Sequence, residues 1–108
     1  MWKVDPAKMC RQHLLGEHVE MHMFVGALSK GQNLSGYING GLVDISYIVD
    51  RHMELVAEMF RRGYRHKSPL LLPKMLPESL TIEDYSKNLI DIGANEAELK
   101  RRCKNCQF

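Results

Sequence analysis

Apolar and polar positions along the chain follow a helical rhythm, and no stretch alternates as a half-buried strand would. Asp5-Pro6 reads as a helix start, with Asp as cap and Pro at the first position, where its missing N–H costs nothing. The pattern then runs to about Lys30 through Met9, Leu14, Met21, Phe24, Val25 and Leu28, with a possible break at Gly16. Gly31 to Gly41 holds four glycines and reads as a loop. A second helix is capped by Asp44, carries Ile45, Ile48, Val49, His52, Leu55, Val56, Met59 and Phe60 at three- and four-residue steps, and stops at Gly63. Prolines in the stretch from Ser68 to Pro77 predict an extended connector. Thr81 with Asp84 forms a capping-box signal opening a third helix through Ile82, Tyr85, Leu89 and Ile92, and Asn95 with Glu98 signals a re-capped segment after Gly93. The expected fold is all-α: a compact single domain, residues 1–108, of three main helices with long connectors.

Composition narrows the class. At 108 residues, 44% hydrophobic and 26% charged, the chain has the profile of a soluble globular domain. It has neither an apolar run of membrane-spanning length nor a basic-then-apolar leader, so no membrane partner is expected. Three cysteines, Cys10, Cys103 and Cys106, fit a thiol-keeping cytoplasmic setting better than a disulfide scaffold. The net charge of +2 gives no global nucleic-acid signature. Basic residues are instead clustered at 61–67 and 100–104, where they can contact phosphates or simply complement helix C-termini.

The densest candidate chemistry lies in Gln12-His13-Leu14-Leu15-Gly16-Glu17-His18-Val19-Glu20-Met21-His22. On a helix His13, Glu17 and Glu20 share one face, with Gln12 at its edge. Two carboxylates one turn apart repel unless a cation sits between them, so the arrangement points to a site. Several readings compete. Glu17 and Glu20 are also what an exposed helix face carries, and His52 on the apolar face of its helix suits a core or interface role. Trp2 can pack or stack on a base. His18 and His22 are four apart, a metal-clamping spacing. Cys10-x-x-His13 with Cys103-x-x-Cys106 would make a four-ligand zinc set if the chain ends meet.

The Gln-His-Leu-x-x-Glu-x-x-Glu motif at 12–20 and the segment from Glu54 to Tyr64 resemble the pyrimidine-dimer DNA glycosylases, the endonuclease V-like enzymes of T-even phages. The tail from Asn95 to Cys106 is also similar to bacterial and phage relatives. The resemblance implies an endonuclease V-like three-helix protein that acts on damaged duplex DNA, bearing a pyrimidine dimer or an abasic site, as an N-glycosylase/AP lyase. It implies no cofactor and no metal. The N-terminal α-amine attacks C1′ to form an imine, and the glutamate matching Glu20 assists sugar opening and β-elimination. An α-amine suits this role, since such groups titrate at about 7.7–8.0 and are partly neutral near pH 7. In the phage enzyme a small residue after the initiator Met permits removal of that Met. Here Trp2 blocks that removal, so the catalytic pair is Met1 and Glu20. Substrate and DNA contacts fall to Gln12, His13, Glu17 and His22, with Lys3, Arg11, Arg62, Arg65 and Lys67 reaching phosphates. Val19 and Met23 stand where the phage enzyme has arginines beside its glutamate, which keeps a second reading open: a catalytically silent DNA-, nucleotide- or partner-binding module of the same fold. A metal-dependent nuclease or hydrolase is a third.

Overall fold

The computed structural model describes residues 1–71, 77, 78 and 80–108. Among these it contains five helices and no strand: α1 (Arg11–Ser29), α2 (Ser35–Asn39), α3 (Ile48–Arg61), α4 (Ile82–Ser86) and α5 (Ile92–Arg102). The all-α expectation holds. None of these helices is long and apolar enough to cross a membrane.

Local chemistry sets the boundaries. Asp5 and Pro6 do start helical structure, with the Asp5 carboxylate accepting from the Ala7 N–H, but the product is a single 3₁₀ turn over Pro6–Lys8. The chain then turns extended at Met9 and restarts at Cys10, whose sulfur accepts from the His13 N–H as the cap of α1. Gly16 does not interrupt α1. Part of the expected 31–41 loop is helical, as α2. A 3₁₀ turn over Ile45–Tyr47 leads into α3, which ends at the predicted stop, with Gly63 at φ +81°. The Thr81–Asp84 capping box is present, yet α4 lasts only to Ser86. The final helix is capped by Asp91, not Asn95, through its carboxylate and the Ala94 N–H. Of the predicted extended connector, residues 72–76 lie outside the described residues, and 68–71 are non-helical as expected.

The core is built where α1 packs along α3. Its most deeply buried side chains include Leu14, Met21 and Phe24 of α1 and Leu55 of α3, joined by Val4, Ile38, Val43 and Leu99. The buried stripe of α1 is Leu14, Glu17, His18, Met21, Phe24, Val25 and Leu28; that of α3 includes Ile48, Arg51, His52, Leu55, Val56 and Met59. Each helix therefore buries two adjacent polar residues, Glu17-His18 on α1 and Arg51-His52 on α3, and α3 buries Glu58 as well. The chain ends do meet: the Gln107 N–H donates to the Lys8 carbonyl at 2.7 Å, and Cys106 is buried beside the start of α1.

Candidate active site and metal-ligating clusters

Met1 is anchored by its side chain, which is fully buried, so the α-amine occupies a fixed position. The ammonium donates to the Glu20 carboxylate and, at 2.8 Å, to the Leu42 carbonyl. Glu20 lies midway along α1 with 35% of its side chain exposed, so the ion pair sits at the boundary between core and solvent. Three further contacts hold the N-terminal segment. The Asn95 side-chain amide donates to the Trp2 carbonyl at 2.9 Å. Lys3, at φ +57°, pairs with buried Asp44 at 3.1 Å, and its ammonium lies 4.2 Å from the centre of the Tyr47 ring. The Leu42 acceptor follows Gly41, at φ +69°, where a Cβ would meet the Leu89 carbonyl oxygen at 2.7 Å; only glycine fits there. A carboxylate bonded to a primary amine can take its proton, freeing the lone pair for attack on an electrophilic carbon. Val19 and Met23, one residue before and three residues after Glu20 on α1, are exposed apolar side chains.

Of the residues singled out in the motif, the structure brings Met1 and Glu20 together and distributes the others. Glu17 is buried and forked onto Arg51, with Nε to Oε2 at 2.5 Å and Nη2 to Oε1 at 3.0 Å. Gln12 and Arg11 are exposed and line an open groove of about 700 Å³ near the start of α1, together with Arg61, Arg62, Asn105 and Gln107. Arg62 is internally engaged, donating to the Met9 carbonyl at 2.6 Å, to the Pro6 carbonyl at 3.0 Å and to Glu58 at 2.6 Å. Hydrogen bonds from Arg61, opposed by burial and reinforced by Arg62, hold the Glu58 carboxyl down at about 2. Arg65 and Lys67 are exposed. Trp2 packs edge-on to His13, with ring centres 6.1 Å apart, and stacks under the Arg102 guanidinium at 4.8 Å, so it serves the fold.

His13 and His22 each belong to a cluster away from the amine contact. In the first, Cys10, His13, Cys103 and Cys106 bring three sulfurs and one ring nitrogen within 4.8 Å of one another. The thiols are free and differ in character: burial pushes Cys106 up to about 11, whereas backbone hydrogen bonding at Asn105 lowers Cys103. The second cluster gathers His18 and His22 of α1, His52 of α3 and His66 just beyond it, also within 4.8 Å. Burial, aided by the neighbouring imidazoles, lowers His18 to about 4 and lowers His52 as well. Both sets have the donor chemistry of a transition-metal site. Sequence reasoning paired His18 with His22 but missed His52 and His66 as their partners; a histidine on an apolar helix face was the available signal. It also missed Arg51 and the Leu42 carbonyl, which no local pattern marks.

Comparison with known families adds one result. The profile of the family described as pyrimidine dimer DNA glycosylase matches residues 1–72, a span that includes Met1, Glu20, α1 and α3 and stops short of Cys103 and Cys106. No curated protein and no solved structure matches the chain. With two thirds of its length covered, amine and carboxylate included, the chain belongs to the pyrimidine dimer DNA glycosylase family.

Proposed function

We propose that this protein is a DNA N-glycosylase/AP lyase that works through the α-amine of Met1. The observation that carries the reading is the direct contact between that amine and Glu20, on a helix whose register is fixed by the core. Glu20 accepts the ammonium proton, and the neutral amine attacks C1′ of the damaged nucleotide. The glycosidic bond breaks, and the base departs with its electron pair and takes up the proton that the newly alkylated nitrogen sheds. Proton donation from the Glu20 carboxyl to the ring oxygen opens the sugar and leaves an imine. Removal of a C2′ proton by the same carboxylate then expels the 3′ phosphate by β-elimination, and water releases the amine.

Reaching a nucleotide in duplex DNA requires extruding a base or bending the helix, at a cost of a few kcal/mol that phosphate contacts must offset. The exposed cations Arg11, Arg65 and Lys67 are best placed for this, with Gln12 and Arg61 beside Arg11 in the groove. Lys3 and Arg62 reach phosphates only by giving up internal partners.

Borohydride trapping of the untagged protein on duplex DNA with an abasic site tests the reading, beside Glu20→Gln and a variant extended by residues before Met1. The expected result is a covalent adduct mapped to Met1, absent from the extended variant, with strand cleavage reduced at least about 100-fold in Glu20→Gln. Equal activity of extended and native protein overturns the N-terminal nucleophile. Salt-dependent binding without any adduct would instead mark a catalytically silent DNA-binding module.

A further inference from the structure

We propose that the chain holds two transition-metal ions: a structural Zn²⁺ bound by Cys10, His13, Cys103 and Cys106, and a second divalent ion bound by His18, His22, His52 and His66. Each site stands on its own geometry.

For the first, tetrahedral zinc with Zn–S of about 2.3 Å and Zn–N of about 2.0–2.1 Å sets ligand-to-ligand edges of roughly 3.8 Å between sulfurs and 3.6 Å between sulfur and nitrogen. The structure has Sγ of Cys103 at 3.9 Å from Sγ of Cys10, and Nδ1 of His13 at 3.1 Å from Sγ of Cys10 and 3.6 Å from Sγ of Cys106. A sulfur–sulfur distance of 3.9 Å is far from the roughly 2.05 Å of a disulfide. Two sulfurs also accept backbone hydrogen bonds: Cys106 from the Cys10 N–H at 3.2 Å and Cys10 from the His13 N–H at 3.4 Å. Such outer contacts orient and stabilise thiolate ligands. Three thiolates and one neutral imidazole around Zn²⁺ leave one negative charge, and Arg102 and Lys104 flank Cys103 in sequence to balance it. With all four positions filled by protein, the site is of the closed, structural kind. It clamps the C-terminal tail to the start of α1, where the His13 ring packs edge-on against Trp2.

For the second, the Nε2 atoms of all four histidines are buried and have no hydrogen-bond partner among the described residues. Four of the five close ring pairs lie at 4.8–5.1 Å between centres and the fifth at 5.3 Å. His18 and His52 are 7% and 4% exposed. Buried polar atoms are normally satisfied, and four unpartnered ring nitrogens, on histidines that each offer a ligand atom within 4.8 Å of the others, are what a metal ion resolves. An all-imidazole set suits Zn²⁺ and its late first-row neighbours. Bound there, the ion pins the basic segment around His66 against α1 and α3.

The test is metal analysis of untagged protein after dialysis against a weak chelator, with Co²⁺ replacement of the bound ion. Two equivalents per chain are expected, falling to one in Cys103→Ser/Cys106→Ser and to one in His52→Gln/His66→Gln. Cobalt should give intense sulfur-to-metal charge transfer in the wild type and in the histidine variant, and none in the cysteine variant. Cobalt titration of the wild type decides the matter if a variant fails to fold, since the thiolate and imidazole sites have different spectra. Metal-free wild type that takes up no cobalt overturns both sites. A single equivalent without charge transfer overturns the cysteine site, and a single equivalent with it overturns the histidine site. Metal content is read independently of strand cleavage, so failure here leaves the imine chemistry standing, and the reverse.

Discussion

Replacing Glu17 by Leu leaves the Arg51 guanidinium, 2% exposed, without the carboxylate that neutralises it. Breaking a buried, hydrogen-bonded ion pair from one side costs about 3–5 kcal/mol, most of it the penalty of an uncompensated buried charge. Glu54 lies 3.5 Å from Arg51 and is 37% exposed, so it offers partial relief and places the cost near the lower end, about 3 kcal/mol. A 108-residue domain unfolds with an entropy of roughly 0.23 kcal/mol/K near its midpoint, so that loss lowers Tm by about 13 °C. Arg51→Met alone should be comparably destabilising, because it strands the Glu17 carboxylate. The double variant Glu17→Leu/Arg51→Met removes both members of the buried pair and should recover most of the loss. Thermal and urea unfolding followed by far-ultraviolet circular dichroism give the full cycle. A single-variant change below about 1 kcal/mol, or a double variant as unstable as the sum of the singles, refutes the reasoning. The folded double variant should also bind DNA normally below its midpoint; lost binding there would return Glu17 to the DNA site.

Three other outcomes follow from local geometry. Gly41→Ala should cost about 1–2 kcal/mol from its left-handed backbone and its approach to the Leu89 carbonyl, and by shifting Leu42 it should slow strand cleavage more than it lowers Tm; cleavage at native rates would show that the Leu42 contact is dispensable. Gly16→Ala, exposed in mid-helix with nothing within 4 Å of the new Cβ, should stabilise by about 0.5–1 kcal/mol, and a destabilisation measured by urea unfolding would contradict an unbroken α1. The Glu58 carboxyl titrates lower folded, at about 2, than its ordinary 4.5. Its contribution is therefore present above pH 4.5 and lost as pH falls towards 2, so the stability difference between wild type and Glu58→Gln should shrink across that window; a gap independent of pH would exclude the ion-pair account.

The helical class, the capping box at Thr81, the stop at Gly63 and the crowding of polar groups on α1 are legible in the order of the amino acids alone. These follow from interactions between residues a few positions apart, which a linear pattern records faithfully. The pairing of the amine with Glu20 was implied by the resemblance of the 12–20 motif to the family. What each crowded group meets is settled by the packing of α1 against the rest of the chain. Glu17 and Glu20 look alike along the chain, yet one is sealed against Arg51 and the other takes the amine, because the packing of α1 on α3 buries the first and leaves the second at the rim. His13 and His22 likewise read as neighbours of the site, and each turns to ligand sets completed by residues up to 93 positions away. Helix lengths escaped for the same reason: α5 starts at Ile92, capped by Asp91 and burying Leu99, although Asn95 with Glu98 offered a local cap. Short-range preferences fix where helices can begin, and long-range burial selects among the starts and decides which polar groups must find partners.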